Sequence, residues 1–204
     1  MRQLRCKDLK PGDIMLKAND GSAFARMITF TESLVGQENP LIMHAGLMFD
    51  QRFIIEAQNS GISGNDVRVG DLRCGYIVYR AQKESLAQGA GTCAKLMFDI
   101  HGRQNTLKYN SLGLPAAVLR SRGTVMTART MDGLLQDILS GKGHPFFCSQ
   151  FVIFVYQFVA EQNGISASQI FNVSDARISP SRLASLLHRN QWFDEAGYVL
   201  PGDR

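Results

Sequence analysis

Leu41-Ile42-Met43-His44-Ala45-Gly46-Leu47-Met48-Phe49, then Asp50-Gln51-Arg52, then Phe53-Ile54-Ile55-Glu56-Ala57 is the stretch that decides the fold. Two apolar runs around a short polar break read as a β-hairpin. A three-residue loop pairs Phe49 with Phe53, and the ladder then sets Gly46 opposite Glu56 and His44 opposite Gln58. Side chains alternate across a strand, so all four lie on one side of the sheet, with Glu56 diagonal to His44. A slip of one residue in the loop would undo the arrangement.

Outward from the hairpin the chain offers further strands. Asp13 to Lys17 follows the turn Lys10-Pro11-Gly12, and Val67–Leu72, Gly75–Arg80 and Gly197–Leu200 complete the set. A short helix is predicted over Ser22–Leu34 and another over Met131–Leu139. From Ser85 to His101 the period changes, with Leu86, Ala90, Cys93, Ala94, Met97 and Ile100 on one helical stripe interrupted by two glycines. The breaker Gly141-Lys142-Gly143-His144-Pro145 precedes Cys148–Gln162, a helix so apolar that it must be central. A last helix starts at Pro180, with Ser179 as N-cap and proline at the first helical position. The expected class is α+β, a small antiparallel sheet against a buried helix.

Composition sets the frame. The chain has 204 residues, 22 Lys+Arg against 18 Asp+Glu, 45% hydrophobic and 20% charged residues. This is globular, mildly basic and without a linker or repeat, so a single domain over 1–204 is expected. The four cysteines Cys6, Cys74, Cys93 and Cys148 form no C-x-x-C pair, which argues against structural zinc and a disulfide framework. No metal or other cofactor is expected. No apolar run reaches the ~20 residues of a membrane span. The opening MRQLRCKDLKPGD is too polar for a signal peptide, so synthesis in the cytoplasm is expected, with any export by a signal-independent route.

Chemistry concentrates on three side chains. His101 and His188 fall inside or at the end of predicted helices, and His144 lies in the Gly/Pro loop before Cys148. His44 differs, being a polar residue at the head of an apolar strand. Alone it would read as a satisfied core histidine. Cys148, however, stands where a Gly-rich break meets an apolar helix, and first-turn N–H groups there stabilise a thiolate and can bind an oxyanion. Cys93 lies on an apolar stripe, and Cys6 and Cys74 lack the helix-start placement. Glu56 within Phe53–Ala57 is costly to bury unless it has a partner. Cys, His and an orienting Glu are the parts of nucleophilic catalysis. Gln58, on the same strand face, is a rival for the orienting role, and in that alternative Glu56 pairs with an arginine such as Arg80.

Leu9-Lys10-Pro11-Gly12-Asp13-Ile14, His44-Ala45-Gly46-Leu47, Ile55-Glu56-Ala57 and Phe147-Cys148-Ser149-Gln150-Phe151-Val152, in that order, resemble the circularly permuted NlpC-like branch of the papain-like cysteine hydrolases. The lecithin–retinol acyltransferase group is a relative with the same order, histidine strand before cysteine helix. The resemblance runs from about Leu9 to Leu187. It implies a papain-like fold with Cys148 as nucleophile, His44 as base and Glu56 as third residue. It also implies that Tyr109, in Lys108-Tyr109-Asn110, sits on a loop beside the site, and His144 is a further supporting candidate.

The substrate the resemblance implies is a cell-wall-type peptide cleaved by an amidase; from the missing secretory signal, delivery as an antibacterial effector with an immunity or delivery partner is the expected route. The first alternative is a lipid acyl hydrolase (a phospholipase) or acyltransferase, to which Phe146 and Phe147 beside Cys148 lend a little. The second is a non-catalytic binding module of the same fold. A nucleic-acid partner is not expected, because Arg120, Arg122 and Arg129 form neither a basic stripe nor an aromatic platform.

Overall fold

The computed structural model of the protein describes residues 1–18, 42–58, 61–69, 75–104, 147–173 and 178–200, with no side-chain description for 101–104. The expected helices over Ser22–Leu34 and Met131–Leu139 lie outside these residues, as do Cys74, Tyr109, the three loop arginines, His144 and Phe146. The strands are β1 (Ile14–Ala18), β2 (Ile42–Met48), β3 (Phe53–Gln58), β4 (Gly61–Asp66), β5 (Gly75–Ala81) and β6 (Phe193–Val199). They form one six-stranded sheet in the order β4-β3-β2-β1-β5-β6, antiparallel at every junction. The helices are α1 (Glu84–Gln104), α2 (Cys148–Gln162), the single turn α3 (Ala167–Ile170) and α4 (Pro180–His188). The molecule is α+β.

The hairpin has the register its loop length dictates. Gly46 faces Glu56, Leu47 faces Ile55 and Met48 faces Ile54. The loop closes because Asp50 Oδ1 accepts the N–H groups of Arg52 and Phe53 at 2.7 Å each, an Asx-type turn built from the residue that opens the break. One expected strand is corrected. Residues 67–69 turn rather than extend, with the Val69 N–H on the Asp66 carbonyl and the Arg68 N–H on Asp66 Oδ1. The strand in this region is instead β4, whose Gly61-Ile62-Ser63-Gly64-Asn65-Asp66 carries few residues of high strand propensity. It holds as an edge strand because β3 pairs with all six of its residues.

Strand alternation divides the sheet into two faces. Leu16, Ala45, Leu47, Ile55, Ala57 and Ile77 join the larger core with residues of all four helices. Met15, Met48, Ile54, Tyr76 and Val78 form a smaller core with Leu4, Cys6 and Leu9 of the N-terminal segment. Helix α2 is buried nearly all round, from Cys148 through Gln157, as its composition requires. The glycines within α1 have a packing reason. A Cβ at Gly89 would lie 2.5 Å from Val159 Cγ1, so glycine lets α1 approach α2 closely. Helix α4 starts as expected, with Ser179 Oγ accepting the Arg182 N–H at 3.1 Å and Pro180 in the first turn. Among the described residues no helix is long and apolar enough to cross a membrane.

Candidate active site

Strand β2 enters the sheet through an irregularity. Lys17 pairs with His44 but Ala18 pairs with Ile42, so Met43 is bulged out and 56% exposed. His44 therefore stands at the first regular position of β2, next to Lys17 of β1 and alternating with the core residues Ala45 and Leu47. Its Nε2 lies 3.3 Å from Glu56 Oε1. That nitrogen is buried, and its N–H is not aligned for a good hydrogen bond to the carboxylate, so the contact is a close ion pair. Gly46 makes room for it. A Cβ there would meet Glu56 Cγ at 2.7 Å and Ile54 Cδ1 at 2.8 Å.

Glu56 is 4% exposed, and its second oxygen is fixed by amides. Asn65 Nδ2 donates to Oε2 at 2.8 Å and Gln58 Nε2 at 3.1 Å. Gln58 thus holds the carboxylate, and Glu56 is the residue that faces the imidazole. Arg80 is engaged elsewhere, its Nε and Nη2 on the two oxygens of buried Asp13 at 2.7 and 2.6 Å. Burial is the largest influence on the Glu56 carboxyl and works to raise it. The adjoining His44 imidazolium, the Asn65 amide and the Lys17 charge together outweigh burial and hold the carboxyl below its ordinary value of 4.5.

Cys148 opens α2 and is 4% exposed. Burial works to lower the His44 pKa, but the adjoining Cys148 and Glu56 raise it to about 10. The imidazole thus interacts with both the thiol and the carboxylate, the pattern of a stabilised imidazolium. The start of α2 is pinned by Ser149 Oγ, which donates to the Ile178 carbonyl. Phe147, at the N-cap, has no side-chain acceptor for the first-turn N–H groups, and its own N–H donates to Gln150 Oε1 at 3.1 Å. Cys93, by contrast, is buried among apolar groups that push its thiol up to about 12.

Cys148, His44 and Glu56 are therefore brought together, with Gln58 behind Glu56. Tyr109 and His144 lie outside the described residues. Two contributors escape a reading of the sequence. Asn65 sits in the weakly patterned β4, and Lys17 reaches the site only through the β1–β2 register. Among the described residues no group of three or more His, Cys, Asp or Glu could hold a metal ion. No protein-family model matches the chain, and no curated protein matches it.

Proposed function

We propose that the protein is a cysteine hydrolase of papain-like, circularly permuted type, acting through an acyl-enzyme on Cys148. The observation that carries this reading is one imidazole held between a helix-initiating cysteine and a buried carboxylate. With Nε2 against Glu56, Nδ1 is the ring nitrogen left to exchange a proton with the thiol. His44 already carries the proton of the Cys148–His44 pair, so sulfur attacks the substrate carbonyl as the thiolate and forms the C–S bond. N–H groups of the first turn of α2 receive the oxyanion. Collapse breaks the carbonyl–leaving-group bond, and the imidazolium gives its proton to the departing amine. Water then attacks the thioester with the neutral His44 ring as base, releasing the acid and restoring the thiolate–imidazolium pair. Glu56 orients the ring and favours its protonated form.

The substrate class we infer is an amide in a cell-wall-type peptide. Incubation with peptidoglycan fragments tests it: new amine and carboxyl termini appear with the native protein and not with Cys148→Ala or His44→Ala. Release of fatty acid from phospholipid vesicles, with intact peptide fragments, would replace the amidase reading by the lipid acyl hydrolase. No product from either, with both variants folded, would leave the non-catalytic module.

A further inference from the structure

A cavity of about 470 Å³ adjoins the buried end of the triad. Lys17, Glu56, Gln58, Asn65, Asp66 and Tyr76 contribute to its wall. Lys17, on β1, is paired with His44 on one side and Tyr76 on the other. Directly paired residues of neighbouring strands share a sheet face with Cβ atoms about 5 Å apart. The lysine is only partly buried, within an otherwise buried strand. Its charge acts on Glu56, yet no hydrogen bond or ion pair ties up its ammonium among the described residues. The other polar groups of the wall are committed. Gln58 and Asn65 donate to Glu56, and Asp66 is held by Arg52 Nε at 2.6 Å and Arg68 Nη2 at 3.0 Å.

We infer that this cavity is a substrate subsite in which Lys17 binds a carboxylate carried by the substrate near its scissile carbonyl. The assignment rests on the hydrolase reading and adds a substrate class to it, acyl or peptide substrates with a single negative charge. Lys17 is the only cation among the described residues of the wall, and Glu56 and Asp66 both face the same space. His44 already pairs with Glu56, and Arg52 and Arg68 with Asp66, so the Lys17 ammonium is left to balance one carboxylate, and a phosphate dianion would bring one charge more than it can balance.

Matched electrophiles read the subsite through Cys148 without a known substrate. Chloroacetyl-glycine and chloroacetyl-glycinamide differ only in charge. Each alkylates a thiolate by forming a C–S bond and expelling chloride. In the native protein the carboxylate reagent modifies Cys148 about tenfold faster than the amide, as expected for one partly screened ion pair. The ratio falls to about one in Lys17→Met and is largely kept in Lys17→Arg, which a merely structural lysine would not produce. Rapid labelling of Cys148 by both reagents at equal rates, or the same ratio in Lys17→Met, overturns the subsite and leaves the hydrolase reading standing. A chloroacetylated aminomethylphosphonate outrunning the carboxylate overturns the choice of carboxylate. Labelling of Cys148 no faster than Cys6 or Cys93 by any reagent overturns the hydrolase reading and the subsite with it.

Discussion

Glu56 is the residue on which the account of the site turns, because it is a buried carboxylate between an imidazole and two amides. Glu56→Gln keeps the shape and loses the charge that favours imidazolium, so turnover falls about a hundredfold without vanishing. Gln58→Ala removes one donor from Oε2 while Asn65 remains, so its loss is much smaller. Comparing kcat of the two variants, with melts to show both are folded, checks the order; greater damage from Gln58→Ala would move the orienting role to Gln58. Linkage gives a second expectation. His44 is raised from 6.5 to about 10 in the folded chain, so its contribution to stability is full below pH 6.5 and is lost as pH climbs through 10. Glu56 is lowered from 4.5, so its contribution is full above pH 4.5 and is lost as pH falls through the folded value. The pair therefore stabilises most between pH 4.5 and 6.5. Melting temperatures across pH should show the gap between the native protein and Glu56→Gln greatest in that window. In Cys148→Ala one of the two groups raising His44 is gone, so the His44 contribution is smaller and its alkaline loss is complete at a lower pH.

At the scale of elements, the β2–β3 hairpin sets the distance between base and carboxylate, and Gly46 is its tightest point. Gly46→Ala pushes a methyl against Glu56 Cγ and Ile54. Overpacking of this kind costs about 1–3 kcal/mol. Because the displaced group is Glu56, turnover should fall further than the shift in denaturant midpoint accounts for. A variant that loses stability alone would show that Glu56 has room to move. The hairpin was legible in the sequence because apolar runs, a turn-forming Asp50 and loop length all agree on one register. The same holds for α2, whose composition excludes an exposed face, and for α4, whose Ser179-Pro180 start is a local signal. Strand β4 was not legible, since Gly61, Gly64, Asn65 and Asp66 favour turns and only pairing with β3 makes them a strand. Residues 67–69, expected to open a strand, turn instead because Asp66 accepts the N–H groups of Arg68 and Val69. Missing β4 hid Asn65, and Lys17 stayed hidden because cross-strand neighbours depend on a bulge that no local pattern reveals.

Across the whole molecule, one polar cluster ties the N-terminal turn to the sheet and to the cysteine helix. Arg80 grips Asp13 and also donates to the Asp8 carbonyl at 2.9 Å, while the Lys10 N–H donates to Asp13 Oδ2 at 2.8 Å. Tyr156 of α2 donates its hydroxyl to the Gly12 carbonyl, and the Gly12 N–H reaches Met48. The cluster thereby fixes α2, and Cys148 at its head, against β1 and β2. Arg80→Met strands a fully buried carboxylate, and unfolding in denaturant should show a loss of about 3–5 kcal/mol. A loss below 1 kcal/mol would mean that the cluster carries little of the assembly. The central claim is that this architecture presents one activated thiol. Alkylation by iodoacetamide near neutral pH, followed by mapping of the modified residues, tests it directly. The account predicts that Cys148 is modified well ahead of Cys6, Cys74 and Cys93, and that His44→Ala abolishes the lead. Equal modification of all four cysteines in the folded protein, or a lead that survives His44→Ala, would contradict it.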